Sequence, residues 1–304
     1  MRPAGLRRLR IPLALAAAAA VAAVAAVAAV AARSGSAASP GAHAKAAAPT
    51  YYLALGDSLS QGVQPDAAGV SVETRYGYPD QVYTALRGDH PGLQLVKLGC
   101  PGETTSTMIN GGMCRYRSGS QLAAAIAFLR AHRGRVFLVT IDIGANDPEA
   151  CGGRPALGTI ASCFGTGIPA AVTRLTTIMA RLTAAAGPGV RMVGMTYYLP
   201  ALADWRDGLP GHAVAWLAEK LAATYNQWLD RVYTNAGARV ANVFGAFDTA
   251  DFGKQGTGAV PRNVALLCQW TWACAAPPRG PNQHANQAGY QVMARTFLQA
   301  AGLR

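Results

Sequence analysis

The sequence lacks the glycine-rich patterns with which many proteins hold nucleotides. It contains neither G-x-G-x-x-G nor the phosphate-binding pattern G-x-x-x-x-G-K-[ST]. Acidic residues are scarce, with 15 Asp and Glu against 27 Lys and Arg, yet the basic residues are scattered. Their densest cluster, "RAHRGR" at 130 to 135, includes no aromatic residue. These absences argue against a nucleotide-binding domain and against nucleic acid as a partner.

The cysteines do not form a metal-binding pattern. No C-x-x-C pair and no His–Cys cluster at ligand spacing occurs, so we predict that there is no metal site. The number of cysteines is even, which favours disulfides in an exported protein, but the residues alone leave the pairing open. The six are Cys100, Cys114, Cys151, Cys163, Cys268 and Cys274.

The first 44 residues have the order of a secretory signal. Four arginines lie within residues 1–10, an Ala/Val/Leu run fills 11–32, and "AHA" at 42–44 offers a cleavage site. The run is longer than in most cleaved signals, which would suit a membrane anchor, but alanine is only weakly apolar. We therefore predict a cleaved signal peptide and a secreted protein, whose contact with a membrane is limited to export. Arg7 and Arg8 leave a twin-arginine route open.

Residues 45–304 are long enough for one α/β domain with a large core. The net charge of +12 falls to +7 once the five arginines of the leader are set aside. We predict a single domain over 45–304 and a monomer.

Apolar β-branched runs alternate with helical patterns along this domain. This alternation predicts a parallel sheet with helices on both faces. The predicted strands cover 51–56, 93–99, 135–144, 190–198 and 238–245. The predicted helices cover 78–88, 120–134, 168–187, 212–237 and 285–300. Residues 246–280 are rich in Gly and Pro without a clear period, which predicts a long functional loop.

The first three strands each run into polar or glycine-containing segments, "GDSLSQG", "GCPGETT" and "GAND". Functional groups of parallel sheets gather at the carboxyl ends of strands. We expect these three segments to lie together.

Ser58 follows the first strand after Gly56 and Asp57. A tight turn there would lift the hydroxyl above the sheet and place it at a helix start, where the free N–H groups favour an oxyanion. The alternative is that Asp57 or Ser58 only caps the helix. The pair does not decide between these roles by itself.

Gly102 and Asn146 follow the second and third strands. A glycine lets its backbone N–H approach a substrate, and an asparagine amide can donate to the same oxygen, although both residues are common in ordinary turns. Gly144 would allow the sharp turn before Asn146. We interpret Asp147 as structural and Asp142 as a satisfied carboxylate within its strand.

His284 precedes the last helix and follows the Gly/Pro-rich segment. The other four histidines lie in the leader, in turns or on helix faces. His284 is therefore the candidate general base for Ser58.

Together these segments resemble the SGNH (GDSL) hydrolases. "GDSLS" matches the first block through Ser58, "PGETT" the second through Gly102, "GAND" the third through Asn146, and "HANQAGY" the last through His284. The blocks occur in the family's order from 51 to about 290, and the secreted actinobacterial lipases and esterases are most similar.

The resemblance implies a flavodoxin-like three-layer α/β/α fold with a central, mostly parallel five-stranded sheet. It implies hydrolysis of carboxylic esters without a cofactor, with Ser58 as nucleophile, His284 as base, and an oxyanion hole formed by Ser58, Gly102 and Asn146. It also implies sequential disulfides, which pair Cys100 with Cys114, Cys151 with Cys163, and Cys268 with Cys274.

The chain departs from the family at the acid of the triad. Where relatives carry Asp three or two residues before the histidine, this sequence has Pro281 and Asn282. The imidazole can be oriented by a main-chain carbonyl at either position or by the Asn282 side chain. We favour a carbonyl, because an amide can present its NH₂ group to the ring and select the wrong tautomer of His284. Asp248 or Asp251 remains an alternative acid.

The alternative to an active esterase is a secreted binding module that lost catalysis together with the acid. The substrate stays open, since lipids, short esters and acetylated polysaccharides all fit, the last making a carbohydrate acetylesterase a further alternative. Trp270 and Trp272 in "CQWTWAC" either line an acyl pocket or pack in the core.

Overall fold

The computed structural model describes residues 50–149, 167–254 and 260–303. The predicted leader and the predicted Cys151–Cys163 bridge lie outside these ranges. All described residues belong to one unit that spans Ala46–Arg304.

Five parallel strands form the central sheet, in the order β4-β1-β5-β6-β7. The five-stranded parallel sheet predicted from the sequence is thereby confirmed. Its strands are β1 (Thr50–Gly56), β4 (Leu93–Lys97), β5 (Val136–Asp142), β6 (Arg191–Met195) and β7 (Arg239–Ala241). The central position of β1 explains its composition, because Tyr52, Leu53, Ala54 and Leu55 are all fully buried.

Helices cover both faces of the sheet, which completes three layers. They are α1 (Tyr78–Leu86), α2 (Thr105–Asn110), α3 (Gln121–Ala131), α4 (Asn146–Glu149), α5 (Ile168–Ala186), α6 (Gly208–Asn235), α7 (Val243–Ala246), α8 (Arg262–Trp270) and α9 (Gln287–Ala301). One layer contains α1 and α9, which pack together, and the other contains α3, α5 and α6. A 3₁₀ helix, Pro200–Asp207, packs against α6.

The layers bury the apolar stripes that predicted the helices. In α5, for example, Leu175, Ile178 and Leu182 are fully buried at helical spacing. The five helices expected from periodicity are all present, and α6 begins at Gly208, four residues before the predicted start.

The prediction of one long loop over 246–280 was wrong. Helix α8 occupies Arg262–Trp270 within it. The helix begins after Pro261, and its Val264 and Leu267, three residues apart, are buried. This stripe is too short to show a period among the surrounding Gly and Pro residues.

A two-stranded hairpin extends beyond the sheet. Its strands, β2 (Gln64–Pro65) and β3 (Ser71–Val72), pair antiparallel. Asp66 fixes the connection, because its Oδ1 accepts the N–H groups of Ala68 at 2.8 Å and Val70 at 2.9 Å. The hairpin forms one side of the site described below.

Two disulfides join Cys100 to Cys114 and Cys268 to Cys274. Each of these disulfides joins two cysteines that follow each other in the sequence. None of the helices in the described ranges has the length and hydropathy needed to cross a membrane.

Candidate active site

The turn after β1 places Ser58, and Gly56 makes the turn possible. Gly56 has a φ of +134°, and a side chain there would overlap the carbonyl oxygen of Asp142. The side chain of Gln121 binds both backbone groups of Gly56. Its Oε1 accepts the N–H at 2.7 Å and its Nε2 donates to the carbonyl at 2.9 Å.

Ser58 does not begin a helix, so that prediction was wrong. Residues 57–62 form turns. The N–H of Gln61 donates to the Ser58 carbonyl at 3.2 Å, and the N–H of Val63 returns to the same carbonyl at 3.1 Å. Asp57 Oδ1 accepts the Leu59 N–H at 2.9 Å, which fixes the turn from its other side. In the described part of the chain, the first helix after this turn begins at Tyr78, so Ser58 does not stand at a helix start.

Gly102 lies on the loop after β4 and Asn146 is the first residue of α4, and these two segments are bound to each other. Gly102 has a φ of +80°, which favours glycine. The Asn146 Nδ2 donates to the main-chain oxygen of Glu103 at 2.8 Å, so the two segments are held at a fixed distance. The Cys100 N–H donates to the Gly56 carbonyl at 3.0 Å, which ties the same region to the Ser58 turn.

Glu103 and Gln121 form a buried link that sequence reasoning missed. Gln121 is fully buried and donates from Nε2 to Glu103 Oε2 at 3.0 Å. Burial raises the pKa of the Glu103 carboxyl. Because Gln121 lies 65 residues from Gly56 in the chain, no local sequence pattern predicts their contact.

His284 faces Ser58 across the turn. The distance from His284 Nε2 to Ser58 Oγ is 2.9 Å, between residues 226 positions apart. The other ring nitrogen, Nδ1, lies 2.8 Å from the side-chain oxygen of Asn282. The sequence favours a main-chain carbonyl of Pro281 or Asn282 as the acceptor, but the structure places the Asn282 side chain there instead.

The orientation of the Asn282 amide follows from its other partners. The main-chain N–H of His284 donates to Asn282 Oδ1 at 3.0 Å, and the Asn282 Nδ2 donates to Ser71 Oγ at 3.1 Å. The atom facing the ring is therefore the oxygen, which accepts from Nδ1–H. Nε2 is left unprotonated toward Ser58, so the amide does not select the wrong tautomer.

The segment that carries His284 is held by its neighbours' main chain. The Trp272 N–H donates to the His284 carbonyl at 3.0 Å, and the Asn282 N–H donates to the Trp272 carbonyl at 3.0 Å. The Tyr198 hydroxyl donates to the Gln283 carbonyl at 2.8 Å. The Cys268–Cys274 loop therefore acts on the site through its backbone.

The tryptophans of this loop do not line the Ser58 cavity within the described part of the chain. Trp270 packs edge-on against Phe247 and is partly buried against the core. Trp272 lines a separate cavity of about 500 Å³ beside Arg206.

The two alternative acids lie in another ion pair. Arg262 Nε lies 2.6 Å from Asp248 Oδ2 and 3.8 Å from Asp251 Oδ2. The acceptor at His284 Nδ1 is Asn282, so the idea that Asp248 or Asp251 replaces the acid was wrong.

Burial lowers the pKa of His284 to about 4. The imidazole is therefore neutral at pH 7, as a base must be.

A cavity of about 390 Å³ opens above these groups. It is lined by Ser58, Val63, Ser71, Glu73, Pro101, Gly102, Asn146, Gln283 and His284. A hydroxyl, a neutral imidazole and an amide donor thus converge on one space, which is the arrangement required for acyl transfer.

A pair of carboxyl groups lies beneath the Ser58 turn. Asp142 is fully buried, and the main-chain N–H of Asp57 donates to its main-chain carbonyl at 3.0 Å. Burial, and next the charge of Asp57, raise the pKa of Asp142 well above its usual value, which favours its protonated form. Tyr78 donates its hydroxyl to Asp142 at 2.6 Å.

Asp147 is structural, as the sequence suggested. It accepts from the Thr105 N–H at 2.8 Å and pairs with Arg174 at 3.1 Å, which joins α2 to α5.

A model of the GDSL-like lipase/acylhydrolase family matches residues 54–292. The chain belongs to this family. It is therefore a carboxylic ester hydrolase, and the resemblance inferred from the four motifs is confirmed. No curated protein matches the sequence.

Solved structures of this family are similar to the chain in fold. An extracellular lipase from Streptomyces rimosus is 18% identical, with a TM-score of 0.52 over 83% of this chain and 99% of the lipase. A phospholipase A1 from Streptomyces albidoflavus is 18% identical, with a TM-score of 0.50 over 83% and 100%. The acetylxylan esterase Axe2 from Geobacillus stearothermophilus is 16% identical, with a TM-score of 0.50 over 84% and 96%. At these identities the likeness shows the fold alone.

Asp142→Asn should retain stability to within about 1 kcal/mol, because the amide reproduces the hydrogen bonds of a protonated carboxyl. Asp142→Ala should cost about 2–4 kcal/mol, since it leaves a cavity and removes the acceptor that lies 2.6 Å from the Tyr78 hydroxyl. Urea unfolding at pH 7 measures both. An acid whose folded pKa is raised loses stability as pH rises above its unfolded pKa of about 3.9, so the wild type should weaken relative to Asp142→Asn as pH rises from about 4. Equal losses in the two variants would contradict a protonated Asp142.

Gln121→Ala should lower the free energy of unfolding by about 2–4 kcal/mol, because the buried N–H of Gly56 loses its partner and a cavity forms. Gln291→Ala, at an exposed glutamine of α9, is the matched control and should stay within about 0.5 kcal/mol. Urea unfolding compares the two, and equal values would show that the link does not hold the turn.

Proposed function

We propose that the chain hydrolyses esters through an acyl-enzyme on Ser58, with His284 as general base. The observation that carries this proposal is the 2.9 Å approach of His284 Nε2 to Ser58 Oγ inside the cavity. The lowered pKa of His284 supports it, because the ring is free to accept a proton at neutral pH.

In the first half of the reaction, Ser58 Oγ attacks the ester carbonyl carbon while His284 takes the hydroxyl proton. The carbonyl oxygen becomes an oxyanion. Its collapse breaks the bond to the alcohol oxygen, and His284 returns the proton to that departing oxygen. In the second half, His284 activates a water that attacks the acyl-enzyme, which releases the acid and restores Ser58.

The oxyanion donors in this proposal are the N–H groups of Ser58 and Gly102 and one N–H of Asn146. An amide nitrogen carries two N–H groups, and one of them already donates to the Glu103 carbonyl. That bond fixes the direction of the other. None of these steps requires a metal ion or an organic cofactor.

Asn282 supplies orientation without charge. Its oxygen fixes the tautomer of His284, but it cannot balance the imidazolium that forms when Ser58 loses its proton. The proposal therefore predicts an active enzyme whose histidine is stabilised less than in an Asp-containing triad.

The sequence supports the proposal of secretion. The arginine-rich start, the apolar run and "AHA" at 42–44 have the order of an export signal, and cysteines in disulfides suit an extracellular protein. We propose that the signal is removed and that 45–304 acts as one secreted monomeric domain.

A panel of esters with graded acyl length, with phospholipid and acetyl-xylan included, would identify the natural ester class. Ser58→Ala is the control for each substrate.

A fluorophosphonate label distinguishes the enzyme from a binding module on the same fold. Folded wild type should react with the label, and Ser58→Ala should not. Equal labelling of the two proteins would contradict the assignment of Ser58 as the nucleophile.

Asn146→Ala should lower kcat by about 10²–10³ with little change in KM, because the lost N–H acts on the transition state. Asn235→Ala, at an exposed asparagine at the end of α6, is the control and should behave as wild type. Steady-state kinetics on a soluble ester measures both variants. A changed KM with an unchanged kcat would contradict the assignment of Asn146 to the oxyanion.

Asn282→Asp should move the acidic limb of the kcat/KM profile to higher pH. In the wild type the base is protonated only near pH 4, so activity should persist into acid. A carboxylate beside Nδ1 favours the imidazolium and should raise the limb by about 1–3 pH units. The rate at pH 8 should rise as well, because the imidazolium then has a charged partner. An unmoved limb would show that the Asn282 side chain does not contact the catalytic base in solution.

A further inference from the structure

One wall of the cavity carries a carboxylate that the proposed mechanism does not use. Glu73 lines the cavity together with Ser58 and His284. Its side chain is exposed, and no ion pair of the described residues includes it. Since His284 is neutral at pH 7, Glu73 is the charged side chain among the described residues that line the cavity.

The charge of Glu73 is opposite in sign to the net charge of the whole protein. Lys and Arg outnumber Asp and Glu by 27 to 15, so a negative cavity wall is a local feature. Nearby charges of one sign set the local potential of a cleft more strongly than the net charge does.

Glu73 belongs to the part of the cavity wall that lies next to the hairpin. It follows β3 directly, and Ser71, two residues before it, accepts a hydrogen bond from Asn282, which binds His284. Ser71 and Glu73 both line the cavity. The hairpin thus forms the wall beside the histidine.

The alcohol portion of an ester must lie on this side. Its oxygen has to approach His284 Nε2 to receive the proton, so the groups attached to that oxygen extend along the hairpin wall. We propose that Glu73 selects esters whose alcohol portion is cationic or uncharged and discriminates against anionic ones. This inference rests on the proposed function, because it uses His284 as the proton donor to the leaving group.

Acetylcholine and 3,3-dimethylbutyl acetate test the inference, since they have the same shape and differ by one positive charge. The ratio of their kcat/KM values should fall by about two- to fivefold in Glu73→Gln, the size expected for an ion pair that is exposed to solvent. The acetate ester of 2-sulfoethanol, which is anionic, should become a better substrate of the variant. Raising the salt to about 0.5 M should shrink each difference in the wild type.

Asp89→Asn is the matched control. Asp89 is an exposed carboxylate in the turn between α1 and β4, at the amino edge of the sheet, and its change removes the same charge. The ratio for Asp89→Asn should equal that of the wild type. If Glu73→Gln and Asp89→Asn shift the ratio alike, net charge explains the preference and the inference fails.

Binding to Ser58→Ala gives a readout that needs no turnover. Calorimetric titration should show that acetylcholine binds more tightly than the neutral ester, and that adding Glu73→Gln removes the difference. A preference for the cation that is independent of Glu73, or the absence of any preference, overturns the inference. If Glu73 controls binding while the fluorophosphonate label does not react with Ser58, the proposed function fails and the assignment of Glu73 stands.

Discussion

Gly56 is the position on which the arrangement of the site depends. Its N–H and carbonyl are both bound by Gln121, and its lack of a side chain lets β1 end against Asp142. The Gly56 carbonyl also receives the Cys100 N–H, so the end of β1, the loop after β4 and the start of α3 share one set of hydrogen bonds. Because these groups are buried, a displacement of any one leaves an unsatisfied donor or acceptor, and the nucleophile turn and the oxyanion loops are held as one body.

The histidine is positioned by different means. Its segment is attached by main-chain bonds to the Cys268–Cys274 loop and by Tyr198, and its ring is oriented by an amide rather than by a carboxylate. Asn282 brings no charge to the ring, and burial lowers the pKa of His284. In the proposed mechanism the imidazolium of His284 is therefore stabilised less than it would be by a carboxylate, but the base stays neutral at acidic pH.

The carboxyl groups near the site differ in how deeply they are buried. Beneath the turn, burial raises the pKa of Asp142 and favours its neutral form beside Asp57. At the mouth of the cavity, Glu73 is exposed to solvent. In the proposals made above, Asp142 contributes hydrogen bonds below the site, whereas Glu73 contributes its charge at the entrance.

The fold class, the five parallel strands and the family could be predicted from the sequence, because buried strands, amphipathic helices and the four motifs are local patterns. The same patterns placed Ser58, Gly102, Asn146 and His284 at strand ends or before the last helix. Three features could not be predicted in this way: Ser58 lies in a turn without a helix, α8 interrupts the Gly/Pro-rich segment, and Asn282 turns its oxygen toward His284. These outcomes depend on contacts between distant residues, such as Gln121 with Gly56 and Ser71 with Asn282, and a pattern of neighbours along the chain does not record which side chains meet after folding.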